Sequence, residues 1–146
     1  MLSVIVETAD SGDRLPALLA CLTSASVEGL VREVLIAGGG PPELLAVLRE
    51  ETGAELAADI AEALGVAKSD RLLVLPAKIR LRPGWLEALA RHVRGGGGDA
   101  LIEGEAGFLQ ARPYGLVIER AAVAGLLSPD MRRLRGKLAR GAVRLG

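Results

Sequence analysis

Three observations predict an α/β protein with three α/β/α layers and a mostly parallel central sheet. Short apolar runs alternate with segments of helical periodicity along the whole chain, an order that is typical of parallel strands covered by helices on both faces. Glycine and proline separate many of these segments, and half of the residues are hydrophobic. The length of 146 residues predicts one domain over residues 1–146.

Each element of the first half is marked by its own pattern. A strand is predicted where a short apolar run ends in turn-forming residues, and a helix where apolar residues recur every three or four positions. Pro16 fits the first turn of the first helix, where a backbone N–H has no partner to lose. The predicted strands cover residues 2–6, 34–37 and 53–56, and the predicted helices cover residues 15–22, 41–51 and 57–66.

The second half continues the alternation. Residues 72–75 are the clearest strand of the chain, and Pro83-Gly84-Trp85 leads into a helix that stops at the four glycines 95–98. Two shorter apolar runs predict further strands. These strands cover residues 100–102 and 116–118, and they are followed by predicted helices over residues 119–127 and, with a basic composition, about residues 130–140.

The charge distribution excludes a typical nucleic-acid binder. Eighteen basic and eighteen acidic side chains cancel, and only one tryptophan, one tyrosine and one phenylalanine are available for stacking on bases. The charges are unevenly spread, because residues 128–146 carry six basic groups and a single acid. We therefore expect no nucleic-acid partner and a basic patch near the end of the chain.

Cysteine content and hydropathy predict a cytoplasmic protein. Cys21 is the only cysteine, which excludes an internal disulfide, and its place in a leucine-rich helix predicts a small core residue. The first residues lack the basic region of a signal peptide, and no apolar run approaches the roughly 20 residues that span a bilayer.

Two runs of residues carry a resemblance to a known family. Ser3-Val4-Ile5-Val6-Glu7-Thr8-Ala9-Asp10 precedes Arg14-Leu15-Pro16, and Arg82-Pro83-Gly84-Trp85-Leu86-Glu87 follows the clearest strand. In this order and spacing they resemble the nucleotide-binding half of family 2 glycosyltransferases, over residues 2–90. The resemblance implies a GT-A fold and a nucleotide-sugar substrate, with Thr8 and Asp10 in the first nucleotide-binding turn.

The same resemblance exposes two departures. Where the family has an acidic turn of the kind D-[DG]-G-S, this chain has Gly38-Gly39-Gly40-Pro41. Where the family has the metal-binding D-x-D, it has Pro76-Ala77-Lys78. Because hard carboxylates hold Mg²⁺ or Mn²⁺ in such enzymes, we expect a divergent, truncated relative with no metal site and no cofactor.

Cations and glycines at the strand ends are the candidate nucleotide-binding residues. Lys78, Arg80 and Arg82 alternate with apolar residues, so in an extended segment they project to one side. An ordinary solvated loop explains the same pattern. Gly38, Gly39 and Gly40 precede a helix and could present N–H groups to a phosphate, but they equally suit a tight reversal of the chain.

No catalytic residue is assigned. Glu103, Glu105 and Asp130 are the carboxylates placed where a transferase could keep a general base, and their spacing does not distinguish that role from solvation. His92 shares a helical face with Trp85 and is interpreted as a structural or surface residue.

The basic segment has two interpretations. Its five cations spread over several faces, as in a solvated helix, or they contact anionic lipid head groups or an acidic protein. The second interpretation is compatible with a location at the inner membrane face, where the resembled enzymes often work. The cations are Arg132, Arg133, Arg135, Lys137 and Arg140.

Three functional hypotheses follow. The leading one is a glycosyltransferase-like protein that binds a nucleotide-sugar or diphosphate without a metal, with catalysis left open. The alternative is a non-catalytic pseudo-glycosyltransferase that serves as a binding or scaffold domain. A flavodoxin-like or receiver-type domain would instead have an acidic pocket at the strand ends.

Overall fold

The structure is a computed structural model that describes residues 1–8 and 14–145. Its strands are β1 (Leu2–Glu7), β2 (Val31–Ala37), β3 (Glu55–Ala57), β4 (Arg71–Pro76), β5 (Ala100–Glu103), β6 (Tyr114–Glu119) and β7 (Val143–Leu145). Its helices are α1 (Leu15–Val27), α2 (Pro42–Thr52), α3 (Ile60–Val66), α4 (Trp85–Arg94), α5 (Arg120–Val123) and α6 (Met131–Arg135).

All seven strands of the described residues form one sheet in the order β3-β2-β1-β4-β6-β5-β7. Strand β1 pairs in parallel with β2 and with β4, β2 pairs in parallel with β3, and β5 pairs in parallel with β7. Strand β6 runs antiparallel to both β4 and β5. The central strands are buried on both faces, which explains their unbroken apolar sequences. The predicted mostly parallel sheet is confirmed.

Helices cover both faces of the sheet and divide the core in two. One cluster contains Val4 and Val6 with apolar residues of α1, α2 and α4. The other contains Ile5 with residues of α3, α5 and α6. Successive side chains of a strand point to opposite faces, so β1 contributes to both clusters. The three α/β/α layers predicted from the alternation are thereby confirmed.

Several strands end at the same edge of the sheet. Glu7, the last residue of β1, is in register with Ala37 on one side and Pro76 on the other. Glu103 ends β5 and pairs with Tyr114, which begins the antiparallel β6. The carboxyl ends of β1, β2, β4 and β5 therefore share one edge with the start of β6, where open α/β sheets bind ligands.

Most predicted elements are present, but the two final helices are shorter than expected. The helix predicted over residues 119–127 is only α5, which is followed by Gly125 at a φ of 82°. The basic helix predicted over residues 130–140 is α6, which is five residues long and continues only as turns after Arg135. Beyond it lies β7, an edge strand that the sequence analysis did not predict.

The start of α3 also differs from the prediction. The helix begins at Ile60 rather than at residue 57, because Asp59 caps it by accepting a hydrogen bond from the Glu62 N–H at 2.9 Å. Cys21 is exposed on α1 rather than buried in the core. Among the described residues, no helix has the length and apolar character needed to cross a membrane.

Candidate functional site

A cleft of about 1010 Å³ opens at the carboxyl edge of the sheet. Glu7, Pro76 and Tyr114 form its floor at the ends of β1 and β4 and the start of β6. The segment after β4, the loop between β5 and β6, and α6 supply its walls. The remaining lining residues are Lys78, Arg80, Glu105, Ala106, Gly107, Gln110, Ala111, Arg112, Pro113, Asp130, Met131 and Arg132.

The first wall carries Lys78 and Arg80. A turn closes after β4, where the Ile79 N–H donates to Pro76 O at 3.1 Å, and the Ile79 side chain is buried with 1% of its surface exposed. Both cations are exposed on either side of this anchor and line the cleft. Arg82 is half-buried and is not among the lining residues. Two of the three alternating cations therefore reach the site.

The second wall, residues 104–113, is bonded directly to the first. The Glu105 N–H donates to Arg80 O at 2.8 Å, and the Gly104 N–H donates to Pro113 O at 2.8 Å. The approach is close: a Cβ added at Gly104 would lie 2.6 Å from Ile79 Cγ1 and 3.0 Å from Arg80 O. Glycine is therefore required where this loop supports the segment that carries Arg80.

Gly104→Ala is expected to destabilise the protein by about 1–3 kcal/mol, because the added methyl group overpacks against Ile79 and the Arg80 carbonyl. Thermal unfolding followed by circular dichroism measures the effect. Gly98→Ala is the matched control, since a Cβ at Gly98 would meet nothing within 4 Å. Equal melting temperatures for the two variants would contradict the close packing.

The third wall is α6, which the sequence analysis placed on an open surface. Leu134 is fully buried in the core, and Asp130 Oδ1 accepts the Arg133 N–H at 2.8 Å. These anchors place Met131 and Arg132 in the cleft lining. The Arg135 guanidinium lies over the Tyr114 ring, 4.6 Å from its centroid. Part of the basic segment thus belongs to the cleft rather than to a separate surface patch.

The glycine turn lies apart from these cations. The Gly38 N–H donates to Ala57 O at 3.1 Å, and Gly38 has a φ of 118°, so its amide is occupied and its conformation favours glycine. Gly39 and Gly40 line a different groove of about 640 Å³, beside Leu45 and Leu56. The structure therefore does not bring the glycines together with Lys78 and Arg80 in one cleft.

Thr8 holds the glycine turn against β1. It is 5% exposed, and its hydroxyl donates to Gly39 O at 2.8 Å and lies 3.3 Å from Ala37 O. This side chain is engaged with backbone carbonyls and ties the end of β1 to the turn after β2. Asp10, the other residue singled out in the first turn, lies outside the described residues.

The candidate carboxylates separate into two groups. Glu105 and Asp130 line the cleft, whereas Glu103 is not among the lining residues and forms ion pairs with Arg112 and Arg144 at 3.4 and 2.5 Å. His92 Nε2 lies 2.7 Å from Gly98 O and is also not among the lining residues. Its role in holding the glycine-rich loop agrees with the structural interpretation.

The charge of the cleft is mixed rather than purely positive. Four basic residues, at positions 78, 80, 112 and 132, face three acidic residues, at positions 7, 105 and 130. Neither Glu7 nor Arg112 was a candidate from the sequence, because only the fold brings the end of β1 and the loop before β6 to the same edge. The cations predicted at the strand ends therefore share the cleft with acidic side chains.

The described residues of the cleft do not fit a divalent metal ion. Within residues 1–8 and 14–145, no group of three or more His, Cys, Asp and Glu side chains is arranged to hold one. Asp130 directs one carboxylate oxygen to the Arg133 N–H, and Lys78 and Arg80 share the lining with the acids. Hard cations need several convergent oxygen ligands, which this donor set does not supply.

Comparison with solved structures decides the fold. Over 99% of its length, the chain superposes on glucosyl-3-phosphoglycerate synthase from Mycobacterium tuberculosis, in complex with phosphoglyceric acid, with a TM-score of 0.65 and 13% identity. It also superposes over its full length on a 4-diphosphocytidyl-2C-methyl-D-erythritol synthase from Anaerococcus prevotii, with a TM-score of 0.63 and 11% identity. The chain has a GT-A-like fold.

A third similar structure is mannosyl-3-phosphoglycerate synthase from Rubrobacter xylanophilus, with a TM-score of 0.54, 16% identity and 83% of this chain covered. At these identities the likeness concerns the fold alone. No protein-family model and no curated protein sequence matches the GT-A-like chain.

The GT-A-like chain is shorter than the proteins it resembles. It spans 70% of the glucosyl-3-phosphoglycerate synthase, 87% of the 4-diphosphocytidyl-2C-methyl-D-erythritol synthase and 55% of the mannosyl-3-phosphoglycerate synthase. For a further mycobacterial protein it spans 39%. Activities of those whole proteins therefore do not transfer to this chain by similarity of fold.

Proposed function

We propose that this GT-A-like protein binds a nucleotide-sugar, or its diphosphate part, in the cleft at the carboxyl edge of the sheet. The observation that carries the proposal is the placement of Lys78 and Arg80 in the lining, directly after the central strand β4. Ligands of open α/β sheets bind at this edge. Kinship with family 2 glycosyltransferases, suggested by the Pro83-Gly84-Trp85 run, belongs to the same proposal.

The cations take the place of a metal in this proposal. A diphosphate needs positive charge beside its oxygens, and a guanidinium or ammonium group supplies it directly through charge-assisted hydrogen bonds. A second crystal structure of the glucosyl-3-phosphoglycerate synthase, which matches this chain at 15% identity with a TM-score of 0.62, contains Mn²⁺, uridine diphosphate and glucosyl-3-phosphoglycerate. The present chain would bind the same chemical group through side chains instead, since the described lining residues do not supply a set of ligands for the ion.

Lys78→Ala is expected to weaken the binding of uridine or guanosine diphosphate at least tenfold, because one charge-assisted contact is worth about 1.5–3 kcal/mol. Isothermal titration of each diphosphate and its sugars, with Mn²⁺ and with a chelator, measures the effect. The affinity of the unaltered protein should be the same under both conditions. Lys68→Ala is the control, because Lys68 is an exposed lysine just before β4, at the opposite edge of the sheet.

Two results would contradict the proposal. Binding that requires Mn²⁺ would place a metal at the site despite its donor set. Equal affinities for Lys78→Ala and Lys68→Ala would place the ligand elsewhere. Transfer to an acceptor is a separate question, because no general base is assigned.

A non-catalytic binding or scaffold role is the second candidate. The observation that favours it is a pair of apolar side chains in the loop between β5 and β6, where Phe108 and Leu109 have 92% and 90% of their surfaces exposed between the lining residues Gly107 and Gln110. Large exposed apolar groups are characteristic of interaction sites. The absence of any diphosphate binding in the same titration would favour this role over the first.

The predicted acidic-protein or anionic-membrane contact applies to fewer cations than the sequence suggested. Arg132 lines the cleft, and Arg135 lies against Tyr114. Arg133, Lys137 and Arg140 are exposed outside the lining. The proposal of an anionic partner on the outer surface is therefore confined to these three residues.

A further inference from the structure

The second and third walls of the cleft each carry an arginine that the diphosphate site does not use. Arg112 belongs to the loop before β6, and Arg132 belongs to α6. Both line the cleft. The cleft, at about 1010 Å³, lies at the upper end of the range for ligand sites, so it has room for more than one small group.

The surroundings of Arg112 carry a net positive charge, although Arg112 has an acidic neighbour. The Glu103 carboxylate accepts from Arg144 at 2.5 Å and from Arg112 at 3.4 Å. One carboxylate thus faces two guanidinium groups, and the shorter contact belongs to Arg144. The Arg112 side chain is 57% exposed, so it can turn toward a ligand without leaving Glu103 unpaired.

Arg132 has a different environment. Its side chain makes no hydrogen bond or ion pair with any residue that the structure describes, and it is exposed on the cleft side of α6. Three acids share the lining with four basic residues. Asp130 is engaged by the Arg133 N–H, Glu105 is an exposed loop residue, and Glu7 lies on the cleft floor at the end of β1. The net charge of the cleft around Arg112 and Arg132 therefore favours the binding of an anion.

The backbone that carries these arginines is held in place before any ligand arrives. Leu134 anchors α6 in the core, and Arg135 packs on Tyr114 at the cleft floor. Pro113 O, next to Arg112, accepts the Gly104 N–H. Fixed supports lower the ordering cost of binding.

We propose that Arg112 and Arg132 form a second anion subsite, separate from Lys78 and Arg80, which binds the phosphate or carboxylate group of a second, small anionic ligand. This inference rests on the proposed function and deepens it, because the second ligand occupies the position of an acceptor. The acceptor class is then a phosphorylated or carboxylated small molecule rather than a neutral sugar. Guanidinium groups match both oxyanions by forked hydrogen bonds.

The test uses inorganic phosphate as the probe and a background in which the first cation pair is removed. In Lys78→Ala/Arg80→Ala, a phosphorus-31 NMR titration at constant ionic strength should still show saturable phosphate binding. Adding Arg112→Gln/Arg132→Gln to that background should weaken binding at least tenfold, since two charged contacts are lost. The matched control adds Lys68→Gln/Arg91→Gln instead, which removes two exposed charges outside the cleft and should leave the affinity unchanged.

A parallel titration with glycerate identifies the chemical group. Stronger binding of phosphate than of glycerate would indicate a phosphorylated ligand, and the reverse would indicate a carboxylate; either outcome supports the subsite if it depends on Arg112 and Arg132. The inference is overturned if phosphate binding disappears in Lys78→Ala/Arg80→Ala, or if the glutamine pair has no more effect than its control.

These outcomes are independent of the diphosphate site. If the unaltered protein fails to bind a nucleoside diphosphate while phosphate still depends on Arg112 and Arg132, the proposed function fails and the anion subsite stands. If the diphosphate binds through Lys78 and no second anion is detected, the proposed function stands and the subsite fails.

Discussion

Leu134→Ala is expected to lower the free energy of unfolding by about 2–5 kcal/mol, the range for emptying a fully buried leucine site. Leu134 is 0% exposed and is the buried residue through which α6 joins the core beneath β6. A helix of five residues has no stability of its own. Urea denaturation measures the loss from the midpoint and slope of the transition.

The same change should also affect the cleft. Once its anchor is removed, α6 no longer fixes Arg132, so phosphate affinity in the Lys78→Ala/Arg80→Ala background should fall together with stability. Leu127→Ala is the matched control, because Leu127 has 82% of its surface exposed in the preceding segment, and surface changes usually stay within about 0.5 kcal/mol. Similar losses of unfolding free energy for Leu134→Ala and Leu127→Ala would show that α6 is not docked through Leu134.

Gly115→Ala is expected to destabilise the protein by about 1–3 kcal/mol through overpacking. Gly115 lies in β6, and a Cβ there would meet Leu75 Cδ2 at 2.3 Å and Val74 O at 3.1 Å. Leu75 is 0% exposed, so its side chain has little room to move. The added methyl group therefore pushes β6 away from β4 at the strand pair next to the cleft.

Gly65→Ala provides a control with the opposite expected sign. Gly65 lies in α3, and a Cβ there would meet nothing within 4 Å. Alanine is favoured over glycine in a helix by about 0.5–1 kcal/mol. Urea denaturation of both variants should give a loss for Gly115→Ala and a gain for Gly65→Ala. A neutral Gly115→Ala would show that β4 and β6 are not packed this closely.

The sequence determined the elements that depend on local pattern. The apolar runs of β1, β2 and β4 predict buried strands, and the Pro83-Gly84-Trp85 run predicts the start of α4. The same local pattern separates Lys78 and Arg80 by a buried residue. These features are predictable because alternation, helical spacing and turn formers act over a few neighbouring residues.

Long-range placement was not predictable in the same way. The chain after residue 125 has weak periodicity and several cations, so sequence alone suggested one exposed basic helix. The burial of Leu134 and the pairing of β7 with β5 place this segment against the sheet instead. Likewise, the glycines at 38–40 follow a strand as expected, but the contacts of Gly38 with β3 separate them from the cations.

Sequence by itself therefore determined that this is a layered α/β chain whose central strand is followed by cations rather than by metal-binding carboxylates. The tertiary structure alone decided which charges share a cleft. Glu7, Lys78, Arg112 and Arg132 come from four distant parts of the chain, and no local pattern links them. They meet because burying apolar residues on both faces of one twisted sheet brings its strand ends, and the loops and helix joined to them, to a common edge.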